Sequence, residues 1–306
     1  MKNKTLATEF ILLGFSNNLT MNKLLYVLFF GIYFITIAGN CLIIYMIIIH
    51  PHLHSPMYFL LVSLSFIDIC NSSSALPRLL VDLLSTYRKI SLAACLIQVN
   101  MLLLIGATEC QLLVLMAYDR YLAICHPLRY PTLMRWSICY RLIGLVVLFS
   151  FITIIVPSMV MPVSLCNPNH INHFMCEALQ VLQLSCDKNY AKELLIFVLS
   201  FITILFPFVL ILSSYICILF SVLKINCVGR FKAFSTCTSH LTVVALFFGT
   251  GMVTYLGSLS HHSPIQGKYI SIFYVIVPPM LNPLIYSFNR EVKMTLSKSL
   301  NKVLGT

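Results

Sequence analysis

The chain has 306 residues, 59% of them hydrophobic and 9% charged, with a formal net charge of +11 and a mean hydropathy of +0.92. A soluble protein carries roughly 25% charged residues, so a surface this poor in charge cannot face water. Composition therefore excludes a water-soluble domain with a large core and points to a membrane protein.

A spanning helix needs about 20 apolar residues, because the hydrocarbon is roughly 30 Å thick and a helix rises about 1.5 Å per residue. Before any such run, residues 1–23 hold Lys2, Lys4 and the stretch FILLGF (10–15), which is too short for a signal-peptide core. Seven runs then follow, at about 24–49, 57–80, 93–121, 138–162, 193–222, 234–259 and 269–289. Strands of a membrane barrel alternate over about ten residues, whereas these runs are apolar on all sides. The expectation is an all-α membrane protein: one seven-transmembrane helix bundle over 24–289, with no internal repeat. After Arg290, Val292, Leu296, Leu300 and Val303 recur at helical spacing with Lys293, Lys298 and Lys302 off the stripe, so 290–306 reads as a short amphipathic helix on the membrane.

Seven crossings put the termini on opposite sides. With the C-terminus in the cytoplasm, the inner segments hold eleven Lys and Arg against nine outside, on shorter loops. The sequons NKT at Asn3 and NLT at Asn18 precede the first run, as an outside N-terminus requires; NSS at Asn71 falls within the second run and is discounted. Of twelve cysteines, Cys95, Cys166, Cys176 and Cys186 fall on the outer side. They suggest two disulfides in one of three pairings, at least one tying the loop after the fourth run to Cys95. His170, His173 and Cys176 have a metal-like spacing, but Cys176 is better used as a half-cystine.

A charge inside the bilayer is costly and usually faces the bundle interior. Asp68 lies eleven residues into the second run from Met57, and Glu109 eleven residues back from Arg120, each about 16 Å along a helix. Asn40 and Asn282 stand at a similar height on the first and seventh runs. The four are expected to converge on one midplane layer, where two carboxylates need a shared proton or a cation such as sodium. Outward from Glu109, helical steps reach Gly106, Ile105 and Leu102; Phe248, Gly251 and Tyr255 align likewise, with hydroxyls from Ser200, Thr203 and Tyr274. These residues predict an apolar ligand cavity in the outer half. Pro157, Pro162, Pro207, Pro278, Pro279 and Pro283 interrupt the fourth to seventh runs and permit kinks.

The third run closes on MAYDRYLAICHPLRY (116–130). With GN (39–40), LHSPMYF (53–59), LSFID (64–68), SY (214–215), KAFSTCTSH (232–240), PPMLNPLIYSFNR (278–290), TEFILLGFS (8–16) and HFMCEALQVLQLSC (173–186), it resembles the class II olfactory receptors, a branch of the rhodopsin-like G-protein-coupled receptors, from end to end. Two departures stand out: SFNR replaces the usual SFRN, and Phe248 stands where the family usually has tyrosine. The resemblance implies a receptor for a small volatile odorant that activates a stimulatory heterotrimeric G protein and raises cyclic AMP. It implies a plasma-membrane location in olfactory cilia, lipids and not nucleic acid as surroundings, no cofactor beyond an allosteric sodium, and no enzymatic activity. It also implies pairings Cys95–Cys176 and Cys166–Cys186 and a sodium role for Asp68 and Glu109. Asp119 would hold Arg120 at rest through a charge-assisted hydrogen bond, and Arg120 would meet the G protein when active. Tyr121, Tyr215, Lys232, His240, Pro283 and Tyr286 would belong to the switch, with Tyr215 swinging toward Arg120. Arg129, Arg135, Arg141, Lys224, Arg230 and Lys232 suit the anionic inner leaflet and an acidic partner.

Competing classes fare worse. A transporter would be expected to show paired half-repeats, a channel a charge ring or filter sequence, and an enzyme a motif such as HExxH or GxSxG; the sequence holds none of these.

Overall fold

The computed structural model describes residues 8–16, 18–160, 165, 169–185, 190–223, 227–257, 264–287 and 292–297, without the side chains of 190–193, 196, 227–236, 254–257 and 264–267. Helix α1 spans Leu19–Ile49, α2 Pro56–Leu84, α3 Leu92–Cys125 and α4 Trp136–Val160. Helix α5 runs through Tyr190–Ser200, a π-helical turn Phe201–Leu205 and Phe206–Leu223; α6 spans Cys227–Gly257; α7 comprises Pro264–Val275 and Val277–Ser287. Six of these helices contain stretches long and apolar enough to cross a membrane, and α6 contributes a shorter apolar stretch, Cys237–Val253. The seven-helix expectation holds.

Helix ends follow local chemistry. Asn18 caps α1, its side chain accepting from the Thr20 and Met21 amides at 2.9 and 3.4 Å, and α1 stops before Pro51. Pro56 opens α2 where a missing N–H costs nothing. Ser91 caps α3 by accepting from the Ala94 amide. Within the helices, Thr36, Ser63, Ser72, Thr108 and Thr242 donate back to carbonyls three or four residues earlier, which hides their hydroxyls from lipid. Helix α3 continues to Cys125, beyond the expected end near Arg120.

Helix α3 packs against α2, α4, α5 and α6, while α1 packs on α2 and α7, and α7 on α6. The inner-half core is continuous through Leu64, Leu113, Met116, Ile211, Val243 and Tyr286. Helix α4 lies at the periphery, with Cys139 and Ser150 as its buried side chains. Exposed Phe34, Tyr45, Leu148, Phe197 and Phe220 give α1, α4 and α5 apolar outer faces suited to lipid.

A small sheet that the sequence did not announce caps the outer end. Strand β1 (Glu9–Leu12) lies between β2 (Lys89–Ser91), antiparallel to it, and β3 (His170–Ile171), parallel to it. Phe10 and Leu12 are fully buried against Ile90, Cys95, Val99 and Ile171. The stretch FILLGF is thus an inward-facing strand followed by a turn. At the other end, 292–297 is helical. There Val292 and Thr295 are buried, and His52 Nε2 meets the Thr295 hydroxyl at 2.9 Å. This turn docks on the bundle through Val292 and an unforeseen Thr295; Leu300 and Val303 lie outside the described residues.

Candidate functional site

Three sites stack along the bundle axis. At the outer end, the Cys95–Cys176 disulfide ties the loop after α4 to the top of α3. Gln98 on α3 accepts from the Cys176 amide at 3.0 Å, fixing the loop again one turn deeper. The partners Cys166 and Cys186, like Asn3, lie outside the described residues. Residues Cys176–Leu179 and the short helix Ala178–Gln183 form the roof of a cavity of about 390 Å³, within the usual range for small-molecule sites of about 300–1,000 Å³.

Leu102, Gly106, Ser200, Thr203, Phe248, Gly251 and Tyr274 all line this cavity, as the sequence predicted. Ile105 does not: it is buried in packing away from the cavity. Successive residues turn by about 100° on a helix, so stepping back four from Glu109, which sits at one edge of the lining face, rotates about 40° further off it. Tyr255 is not among the described side chains. Phe248 packs on Phe208 with ring centroids 5.4 Å apart, so the absent hydroxyl leaves an apolar floor. Sequence reading missed the loop contribution (Glu177, Val181, Leu182) and the α4 wall (Thr153, Pro157, Ser158). The covalent tie at Cys176 was the available signal for the roof.

The roof is polar at one point. Glu177 accepts from the Tyr274 hydroxyl at 3.1 Å. Burial pushes its carboxyl up to about 7, against the pull of that hydrogen bond. His173 is fully buried; its Nδ1 accepts from the Met175 amide, which leaves the proton on Nε2, 3.0 Å from the Ser271 hydroxyl. Burial, reinforced by the Lys268 charge, pushes His173 down to about 3. The 3.9 Å approach of His173 to Glu177 is therefore not an ion pair at neutral pH. Cys176 is bonded to Cys95, and among the described residues no cluster of three or more His, Cys, Asp or Glu is arranged to hold a metal.

Below the cavity lies the acid pair. Asp68 and Glu109 are both fully buried, and Asn282 donates to both Asp68 oxygens at 3.1 and 3.0 Å. Glu109 lies within electrostatic range of Asp68, and neither of its oxygens has a hydrogen-bond partner. Among the described residues Asn40 forms no hydrogen bond with Asp68, Glu109 or Asn282. Its amide donates to the Thr36 and Pro279 carbonyls, both at 3.0 Å. Pro283 has no N–H for the carbonyl four residues earlier, and Asn40 supplies the donor that Pro279 lacks.

At the inner end, Arg120 approaches Asp119 at only 3.8 Å, too far for the expected hydrogen bond. Asp119 is held instead by the Tyr130 hydroxyl at 2.8 Å, a partner eleven residues on that the sequence did not single out. The Tyr215 hydroxyl meets His240 Nδ1 at 2.7 Å, with the rings stacked, joining α5 to α6. Tyr121 pairs with His126 Nε2 at 3.0 Å and packs beside Ile218, Val222 and Cys237. Pro283 faces Gly39, and Tyr286 is 1% exposed with its hydroxyl unpartnered. Lys232 is not among the described side chains.

Comparison with known proteins agrees with this layout. A family model described as olfactory receptor matches residues 29–302. The chain is 42% identical over 98% of its length to olfactory receptor 8G50 of Mus musculus, covering 97% of that protein. It is 44% identical over 99% of its length to olfactory receptor 11L1 of Homo sapiens, covering 95% of it. Squid rhodopsin shares the fold with a TM-score of 0.74 at 17% identity, over 95% of this chain and 84% of that one.

Proposed function

The chain belongs to the olfactory receptor family, and from that membership we propose that it is an odorant-gated receptor of the plasma membrane that activates a stimulatory G protein and raises cyclic AMP. Members of this family are multi-pass receptors, not enzymes. The observation that carries the reading is the vertical order of the three sites. An apolar cavity under a disulfide-tied roof stands over an acid pair on α2 and α3, and that pair over an arginine only loosely held at the inner end.

A small odorant occupies the outer cavity between α3, α5, α6 and the roof. It acts by population shift: it binds the signalling arrangement more tightly than the resting one, and its effect is limited by that difference. The Tyr215–His240 contact is a latch of the resting arrangement, because it ties together the inner ends of α5 and α6. When α6 moves out, Arg120 is uncovered for the G protein. The N-terminus lies outside, with Asn3 and Asn18 open to glycosylation; the C-terminus and the basic inner positions face the cytoplasm and its anionic lipids, in olfactory cilia. At the midplane the unpartnered Glu109 oxygens beside Asp68 suit a hard cation, and Asp68 with Glu109 would hold sodium there.

Replacing Arg120 by Ala tests the coupling. Odorant-evoked cyclic AMP should vanish while surface staining persists. Full signalling from a displayed Arg120→Ala receptor would remove the coupling role.

A further inference from the structure

We propose, on the premise of that receptor reading, that the ligand must donate a hydrogen bond to Glu177: the cavity accepts apolar alcohols, phenols and amines and discriminates against ketones and ethers of the same shape. The cavity's own protons are already directed elsewhere. Thr153, Ser158 and Thr203 donate to carbonyls of their own helices, the Asn71 and Asn100 amides donate to the Val275 and Leu96 carbonyls, and Tyr274 donates to Glu177 Oε1. Those hydroxyls have little left to offer a ligand carbonyl. Ser200, on α5, can serve either way.

Acceptors are in surplus. Glu177 is 5% exposed and lines the roof, and among the described residues no hydrogen bond reaches its Oε2. His173 Nε2 stands 3.9 Å from that oxygen with its proton directed to Ser271. On α3, Glu109 adds a second carboxyl group whose oxygens have no donor. Among the described residues the lining contains no Lys, Arg or His. Among the described polar groups of the roof region, Lys268 of α7 is committed to the Gly14 carbonyl, and Gln98 of α3 to the Cys176 amide and the Ser74 carbonyl. A buried acceptor left unmatched is a strong filter, because a ligand lacking the proton leaves it desolvated and unpaired.

The test uses the intact receptor and matched sets such as cyclohexanol, cyclohexylamine and cyclohexanone, or benzyl alcohol, benzylamine and benzyl methyl ether. Cyclic AMP is read against surface expression. The donor members should be at least about tenfold more potent than their partners. Their advantage should shrink as external pH drops through the Glu177 range near 7, because protonation weakens Glu177 as an acceptor and gives it a proton to donate to a ketone or ether. Glu177→Gln should narrow the gap between members, and the wild-type comparison needs no variant to fold. Ketones or ethers matching the alcohols in the wild type would overturn the inference while leaving the receptor reading intact. Silence of a displayed receptor to every set and to a broad odorant panel would overturn that reading and this inference with it.

Discussion

Asn40 shows how one missing proton organises two helices. Pro283 leaves the Pro279 carbonyl without its helical donor, Asn40 provides one at 3.0 Å, and Gly39 next to it keeps the space that Pro283 fills. A Cβ at Gly39 would lie 3.1 Å from the Pro283 Cβ. The substitution Asn40→Leu keeps the volume and removes the donor. It should destabilise the receptor by about 1–3 kcal/mol, the cost of an unsatisfied buried acceptor, seen as a lower melting temperature of purified protein. An unchanged melting temperature would deny the bond its role. Sequence counting set Asn40 to converge with Asp68, Glu109 and Asn282, whereas its hydrogen bonds go to the Thr36 and Pro279 carbonyls. Depth follows from spacing; which carbonyl needs a donor follows from a proline on another helix. Asp68 and Asn282 were legible for the converse reason, since a buried acid needs a donor and Asn282 stood at its height. Tyr130, which holds Asp119, lay in the quoted motif but past the run, where spacing no longer fixes direction.

At the scale of elements, the helices were legible because lipid forces every backbone group into internal pairing, and the strand cap was not. Residues 10–13 are apolar on both faces, so the alternation that marks a strand is masked until β2 and β3 select Phe10 and Leu12 as the inward pair. The cap ends on Gly14, at φ 63°. Arg88 then reaches over it to the Leu13 and Ser16 carbonyls at 2.7 and 3.0 Å. A Cβ at Gly14 would fall 2.5 Å from the Arg88 guanidinium. Gly14→Ala should therefore cost about 1–2 kcal/mol in backbone strain alone and also displace Arg88. The expected readout is lower surface expression and faster proteolysis of the N-terminal segment. Equal protease resistance in variant and wild type would show that β1 does not depend on this turn.

For the molecule as a whole, the decisive geometry is that Glu109 belongs to two sites. It is part of the cavity lining and lies within electrostatic range of Asp68, which Asn282 ties to α7. A cation held by the two acids and an odorant above them would therefore share a wall. Sharing a wall lets each bias the arrangement of the other, and any such coupling is reciprocal in free energy. If sodium favours the resting arrangement, sodium must lower odorant affinity by the factor by which the odorant lowers sodium affinity. Glu109→Gln removes one charge at constant shape. In isolated membranes, exchanging sodium for potassium should raise basal and odorant-evoked signalling of the wild type, and the exchange should have little effect on the variant. A sodium response that survives Glu109→Gln undiminished would separate the midplane acids from the cation. The cavity and the inner arginine would then have to communicate through helix packing alone.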